Sequence, residues 1–215
     1  MPSSAESRSQ PTPAAAPLAW VGVAAALLLG SVALSGVGPL RLDWQPGLAW
    51  QEPWRAWTAA WVHYSALHLL ANLFGGILVA AFGVVARLPR RAALAWLAAW
   101  PLTQIGLALR PDLSHYGGLS GVLHAGVGIV AIHLLIDGRG ARRWLGGAVL
   151  LVVAIKIGLE SPLGPAFRES AGWDIAVAPF AHLSGLAAGA VTGVGARLLS
   201  VATSPRRPRS IGSDG

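Results

Sequence analysis

Six apolar stretches dominate this chain, at about Leu18 to Val37, Leu67 to Val85, Ala92 to Leu109, Leu119 to Ile136, Trp144 to Leu159 and Val177 to Leu199. Each comes close to the roughly 20 residues that an α-helix needs to cross a hydrocarbon core. With 54% hydrophobic and 12% charged residues in 215, the composition is that of a membrane protein rather than a soluble domain. The expected fold is an all-α bundle of six transmembrane helices filling residues 18–199. The tails at 1–17 and 200–215, rich in Ser, Pro and Arg, read as disordered. The first stretch is kept as a helix rather than a signal peptide, because no clear cleavage signature follows it.

The net charge of +7 does not point to nucleic acid, because the basic residues alternate by loop instead of forming one patch. Arg8, then Arg87, Arg90 and Arg91, then Arg139, Arg142 and Arg143, then Arg197, Arg206, Arg207 and Arg209 fall on one side of a six-helix path. The positive-inside rule makes that side, and both termini, cytoplasmic. Trp44, Trp50, Trp54, Trp57 and Trp61 crowd the first external loop and the entry to the second helix, where indole rings suit the headgroup level. The last external loop, Ser161 to Ala176, carries Gly, Pro, Phe167 and Trp173 and is expected to lie over the helix ends as a cap. Cysteine is absent, which removes disulfides, thiol nucleophiles and thiolate metal sites together.

Strongly polar groups at bilayer depth are costly and mark functional candidates. Ser120, in Gly118-Leu119-Ser120-Gly121, opens the fourth stretch, and His182 lies about five residues into the sixth, so their depths agree. Gly121, Ala125 and Gly128 follow the serine, while Gly185, Gly189 and Gly193 follow the histidine, a small-residue pattern that lets two helix backbones approach. A buried neutral imidazole can take the proton of a serine hydroxyl, which is a weak nucleophile without such a base. His68 and Asn72, four residues apart on one face of the second helix, can donate to a developing oxyanion or serve as interhelical glue. His124 shares a face with Ser120 and can stack on or hydrogen-bond His182. No acidic residue adjoins either motif; Glu160 and Asp174 are remote candidates for a third, orienting carboxylate. Lys156 and Glu160 read first as an i,i+4 ion pair, with Glu160 near enough to the external end to face the site. His133 is expected to pack near the cytoplasmic end, and His63 and His115 to be solvated or headgroup-facing.

At these residues the chain resembles the rhomboid family of intramembrane serine proteases. Glu52-Pro53-Trp54-Arg55-Ala56-Trp57-Thr58 looks like the family's first-loop Trp-Arg motif, and His63-x4-His68-x3-Asn72 follows at the family's spacing. Gly118 to Gly121 matches the nucleophile motif, and Ala181-His182-x2-Gly185-Leu186-x2-Gly189 matches the base motif. The resemblance implies Ser120 as nucleophile, His182 as base, and His68, Asn72 and the Ser120 amide as the oxyanion site. His124 stands where family proteases commonly carry tyrosine. With Lys156-x3-Glu160 and Ala-His-Leu-x-Gly, it makes the chain similar to the bacterial rhombosortase branch. That branch implies a transmembrane substrate with a C-terminal sorting tail: a Gly-rich motif, a membrane helix and a basic end. It implies cleavage near the external face of a bacterial inner membrane, with hydrolysis or transfer to an amine completing the reaction.

A second class is a catalytically inactive rhomboid-like protein that binds transmembrane helices; such relatives usually lose the serine or the histidine, and this chain keeps both. A transporter is disfavoured because the polar residues cluster towards one face of the membrane. A metalloprotease lacks both His-Glu-x-x-His and cysteine ligands, so no metal or other cofactor is expected.

Overall fold

The computed structural model describes residues 17–203. Among these the fold is all-helical, with two isolated β-bridges and no strand. Six long helices overlie the six apolar stretches: α1 Leu18–Ala33, α2 Ala66–Val85, α3 Arg90–Gly106, α4 Ser120–Asp137, α5 Ala141–Leu159 and α6 Pro179–Ala202. A single helical turn, Arg55–Thr58, lies between α1 and α2. The expected tails fall almost wholly outside the described residues.

The helix ends have local causes. α1 stops at Ala33, short of the expected Val37, as the chain enters a segment with Gly36, Gly38 and Pro39, all poor helix formers. Ser65, in extended backbone, caps α2 by accepting from the His68 N–H at 3.1 Å. α6 begins at Pro179, whose fixed φ and missing N–H suit a first turn, and continues to Ala202. By length and composition four segments can cross a membrane: α2, Arg90–Leu109, α4 and α6. α1 has only 16 residues, and α5 carries Arg142, Arg143 and Lys156.

The centre of the bundle is the crossing of α4 and α6. A Cβ at Gly185 would collide with the carbonyl oxygen of Gly121, and one at Gly189 with that of Ala125. Backbone therefore lies directly on backbone, as small residues permit in membrane helices. Large side chains fill the space beside this seam. Trp20 of α1 and Trp96 of α3 stack at 4.2 Å, with their N–H groups donating to Val79 O and Val122 O. Glycine makes room for both indoles: Gly83 faces the Trp20 ring and Gly126 the Trp96 ring.

At one end of the bundle Asp43, fully buried, binds Arg55 at 3.3 Å and His115 at 3.0 Å, while Arg55 also pairs with Glu52. Trp44 corrects the expectation that the loop tryptophans sit at headgroup level. Its backbone pairs with Tyr116 in both directions, at 2.7 and 2.9 Å, which turns its side chain into a core with Leu107, Leu113 and Phe180. Trp50, by contrast, is 95% exposed. At the other end Asp137 of α4 binds Arg91 of α3 at 2.8 Å, Arg197 of α6 at 2.5 Å and His133 of its own helix at 3.1 Å.

The seam yields a graded expectation. Gly185→Ala must displace the Gly121 backbone, a clash that costs about 1–3 kcal/mol as overpacking does elsewhere. Gly193→Ala meets Ile129 only at 3.6 Å, an ordinary contact, and is expected to be tolerated. Thermal melting of the two variants in detergent checks the ranking.

Candidate active site

The α4–α6 seam carries Ser120 and His182 to the same end of the bundle. Ser120 is the first residue of α4, and four residues before it the chain is tied down by the Tyr116–Trp44 pairing. Gly118 donates its N–H to Ala59 O at 2.9 Å and has φ +132, a region that favours glycine. A side chain there would also press on His68, whose Cε1 and Nε2 lie 2.8 Å from the Cβ position, with Asn72 Nδ2 at 3.6 Å. The turn before the helix is thus pressed against the two polar residues of α2. Both present a buried nitrogen without a hydrogen-bond partner among the described residues, His68 Nδ1 and Asn72 Nδ2.

Ser120 Oγ lies 3.1 Å from His182 Nε2. On the other side of the imidazole, His182 Nδ1 is 2.7 Å from Glu160 Oε2, and Glu160 Oε1 accepts from Lys156 Nζ at 2.8 Å. His124 stacks on His182, with centroids 4.2 Å apart and planes inclined by 18°. Its Nδ1 donates to Ser120 O at 2.7 Å, and its Nε2 lies 3.1 Å from Lys156 Nζ. Glu160 sits just past the end of α5. Burial would raise its carboxyl, but the hydrogen bonds from His182 and Lys156 outweigh that and bring its pKa down to about 2. It is ionised at neutral pH.

A cavity of about 600 Å³ opens beside Ser120. Its walls include Tyr64, His68, Asn72, His124 and His182, and the loop between α5 and α6 roofs it with Phe167 and Trp173. That loop is braced by the Arg168–Val177 bridge and tied to α2 where Ser65 Oγ donates to Asp174 Oδ1 at 2.7 Å. Asp174 thus serves the loop, and Glu160 is the acid that reaches the imidazole.

The sequence reading places His63 in solvent or among headgroups, and the structure does not. His63 Nδ1 contacts Trp61 O at 3.2 Å, its Nε2 is buried without a partner among the described residues, and its ring lies 4.9 Å from that of His68. Burial lowers its pKa to about 4, against the opposing hydrogen bond to Trp61, so it is neutral. Tyr116 is the site residue that motif reasoning missed. Its hydroxyl is 3.5 Å from Ser120 Oγ, accepts from the Gly121 N–H at 3.4 Å and donates to Gly118 O at 3.4 Å. Tyr116 lies in the loop before α4, where a four-residue step does not set the direction of a side chain, so the sequence carried no signal for it.

A model of the rhomboid domain matches residues 50–198. The chain belongs to the rhomboid family. The match takes in Ser120, His182, His68, Asn72, Lys156 and Glu160, and joins the chain to a family of intramembrane serine proteases that are multi-pass proteins of lipid bilayers. Comparison with curated proteins gives no significant match.

Gly118→Ala tests how tightly this rhomboid site is set, since the variant meets both an adverse φ and the His68 ring. The variant is expected to lose about 1–3 kcal/mol of stability, as overpacking costs elsewhere. Gly36→Ala, which meets nothing within 4 Å, is expected to melt like the wild type; thermal melting in detergent reads both.

Proposed function

We propose that this rhomboid protein is an active intramembrane endopeptidase, with Ser120 as nucleophile and His182 as general base. The observation that carries the reading is the 3.1 Å approach of His182 Nε2 to Ser120 Oγ beside an open cavity. The hydroxyl adds to the scissile carbonyl carbon while its proton passes to Nε2. The C–N bond then breaks, His182 returns that proton to the departing amine, and the acyl chain remains on Ser120. Water, or an amine acceptor, completes the cycle by the same route in reverse. The transient oxyanion is served by His68, Asn72 and the Ser120 N–H, which lies in the first turn of α4, where backbone donors have no helical partner. Gly118, Gly121 and Gly185 support the site by letting its backbone elements close on one another.

The substrate we propose is a membrane-anchored protein with a C-terminal, Gly-rich sorting tail. Tyr64, Tyr116, Phe167 and Trp173 line the cavity, and their bulk favours an extended chain with small side chains at the cleaved bond. His124, Lys156 and Glu160 around the base support placement in the rhombosortase-like branch. The setting is a bacterial inner membrane crossed six times, with cytoplasmic termini and the site at the external face. The arginines of Arg87 to Arg91, Arg139 to Arg143 and Arg197 at the opposite end support this orientation.

Cells carrying wild-type, Ser120→Ala or His182→Ala protein test the reading. Release of envelope proteins is expected to fall at least ~10³-fold in both variants, with the wild-type C-termini, read by mass spectrometry, at Gly-rich tails. Full cleavage by Ser120→Ala sinks the assignment. Binding of transmembrane segments without turnover by the wild type establishes the helix-binding alternative. His68→Ala and Asn72→Ala are expected to lower kcat by ~10²–10³-fold, as loss of an oxyanion donor does.

A further inference from the structure

The contacts around the two stacked imidazoles constrain where their protons lie. An ionised carboxylate only accepts hydrogen bonds, so His182 Nδ1, 2.7 Å from Glu160 Oε2, carries a proton and donates it. In the neutral imidazole, the form that can act as base, this leaves Nε2 bare towards Ser120. A carbonyl oxygen likewise only accepts, so His124 Nδ1 donates to Ser120 O, and His124 Nε2 accepts from Lys156 Nζ at 3.1 Å. Lys156 donates a second hydrogen bond to Glu160 Oε1 at 2.8 Å. Its 3.4 Å approach to His182 Nδ1 is then between two donors, held together by the carboxylate they share.

We propose that Glu160, Lys156 and His124 form a clamp that keeps His182 in the tautomer and plane required of the base, with Lys156 acting chiefly through Glu160. The proposal rests on the protease reading of Ser120 and His182. A neutral imidazole can carry its proton on either nitrogen, and the wrong tautomer points an N–H at the serine and cannot take its proton. Glu160 removes that tautomer and stabilises the imidazolium formed during attack. Glu160 is also 29% exposed in its side chain, so without a second anchor it would turn to solvent. Lys156, one helical turn earlier on α5, supplies that anchor, and Arg168 adds another by donating to the Glu160 backbone carbonyl at 3.2 Å. His124 presses on the face of His182 while Glu160 holds its edge. All three are positioning residues; none touches the reacting atoms.

The clamp is tested with full-length protein in liposomes, using a fluorophosphonate probe that loses fluoride as Ser120 becomes phosphonylated. We expect Glu160→Ala to lower the maximal labelling rate ~100-fold, within the range of base catalysis. The half-saturating probe concentration is expected to stay unchanged. Lys156→Met is expected to slow labelling ~10-fold, and Lys156→Arg, which keeps the charge and the donors, to recover most of it. If Lys156 acts largely through Glu160, the double variant Glu160→Ala/Lys156→Met labels close to Glu160→Ala alone. A wild-type rate in Glu160→Ala, or fully additive losses in the double variant, overturns the clamp while leaving the dyad intact. Should Glu160→Ala melt early, the Lys156 pair decides on the same readout, and equal rates for Met and Arg overturn the proposal. Absence of Ser120 labelling in the wild type instead overturns the protease reading itself.

Discussion

The backbone contact between α4 and α6 is the constraint on which the rest of this molecule depends. Gly185 lies against Gly121 and Gly189 against Ala125 with no side chain between them, so the two helices cross at a separation set by main-chain atoms. Ser120 is one residue from that contact and His182 three, which fixes how far apart their side chains can be. Side-chain packing can relax by a change of rotamer; a seam of glycine and alanine has none to change. The tryptophans of α1 and α3 fill the bundle around this seam, and the turn before α4 completes the site by lying against α2.

Electrostatics finishes what packing begins. Asp43, buried at one end, gathers Arg55 and His115 and so ties the first loop to the strand-like segment that leads into Ser120. Breaking a buried pair of this kind typically costs about 3–5 kcal/mol, because one charge is left without its partner. The Trp44–Tyr116 pairing runs through the same junction. Three otherwise separate pieces of chain, the loop after α1, the helical turn Arg55–Thr58 and the segment before α4, are thereby brought to one place.

The six helices, and the residues that meet at Ser120, were legible because apolar length and small-residue spacing are local properties of the chain. Ser120 and His182 could be paired from their depth, and His124 could be placed beside them from its four-residue step. Other features depended on tertiary structure. Glu160 lies 22 residues from His182, and nothing in its own segment distinguishes an acid that pairs only with Lys156 from one that also reaches across to α6. Trp44 carries the composition of an interfacial residue but is buried by a single backbone bridge to a residue far along the chain. Tyr116 escaped notice because it sits in a loop, where helical spacing does not say which way a side chain turns. His63 was misplaced for a similar reason, since its burial comes from folding of the loop rather than from the α2 pattern.

The ion cluster at Asp137 has a consequence for how the molecule meets bilayers of different thickness. A helix whose apolar length does not match its membrane adjusts by tilting, at a cost of fractions of a kcal/mol per Å. α4 and α6 are joined twice, by the glycine contact near Ser120 and by the Asp137–Arg197 ion pair near their other ends. Two rods fastened at two points cannot scissor. Mismatch must then be absorbed by tilting the pair as one unit, or by the surrounding α1, α2 and α5, and the distance between serine and histidine is insulated from the thickness of the lipid around them.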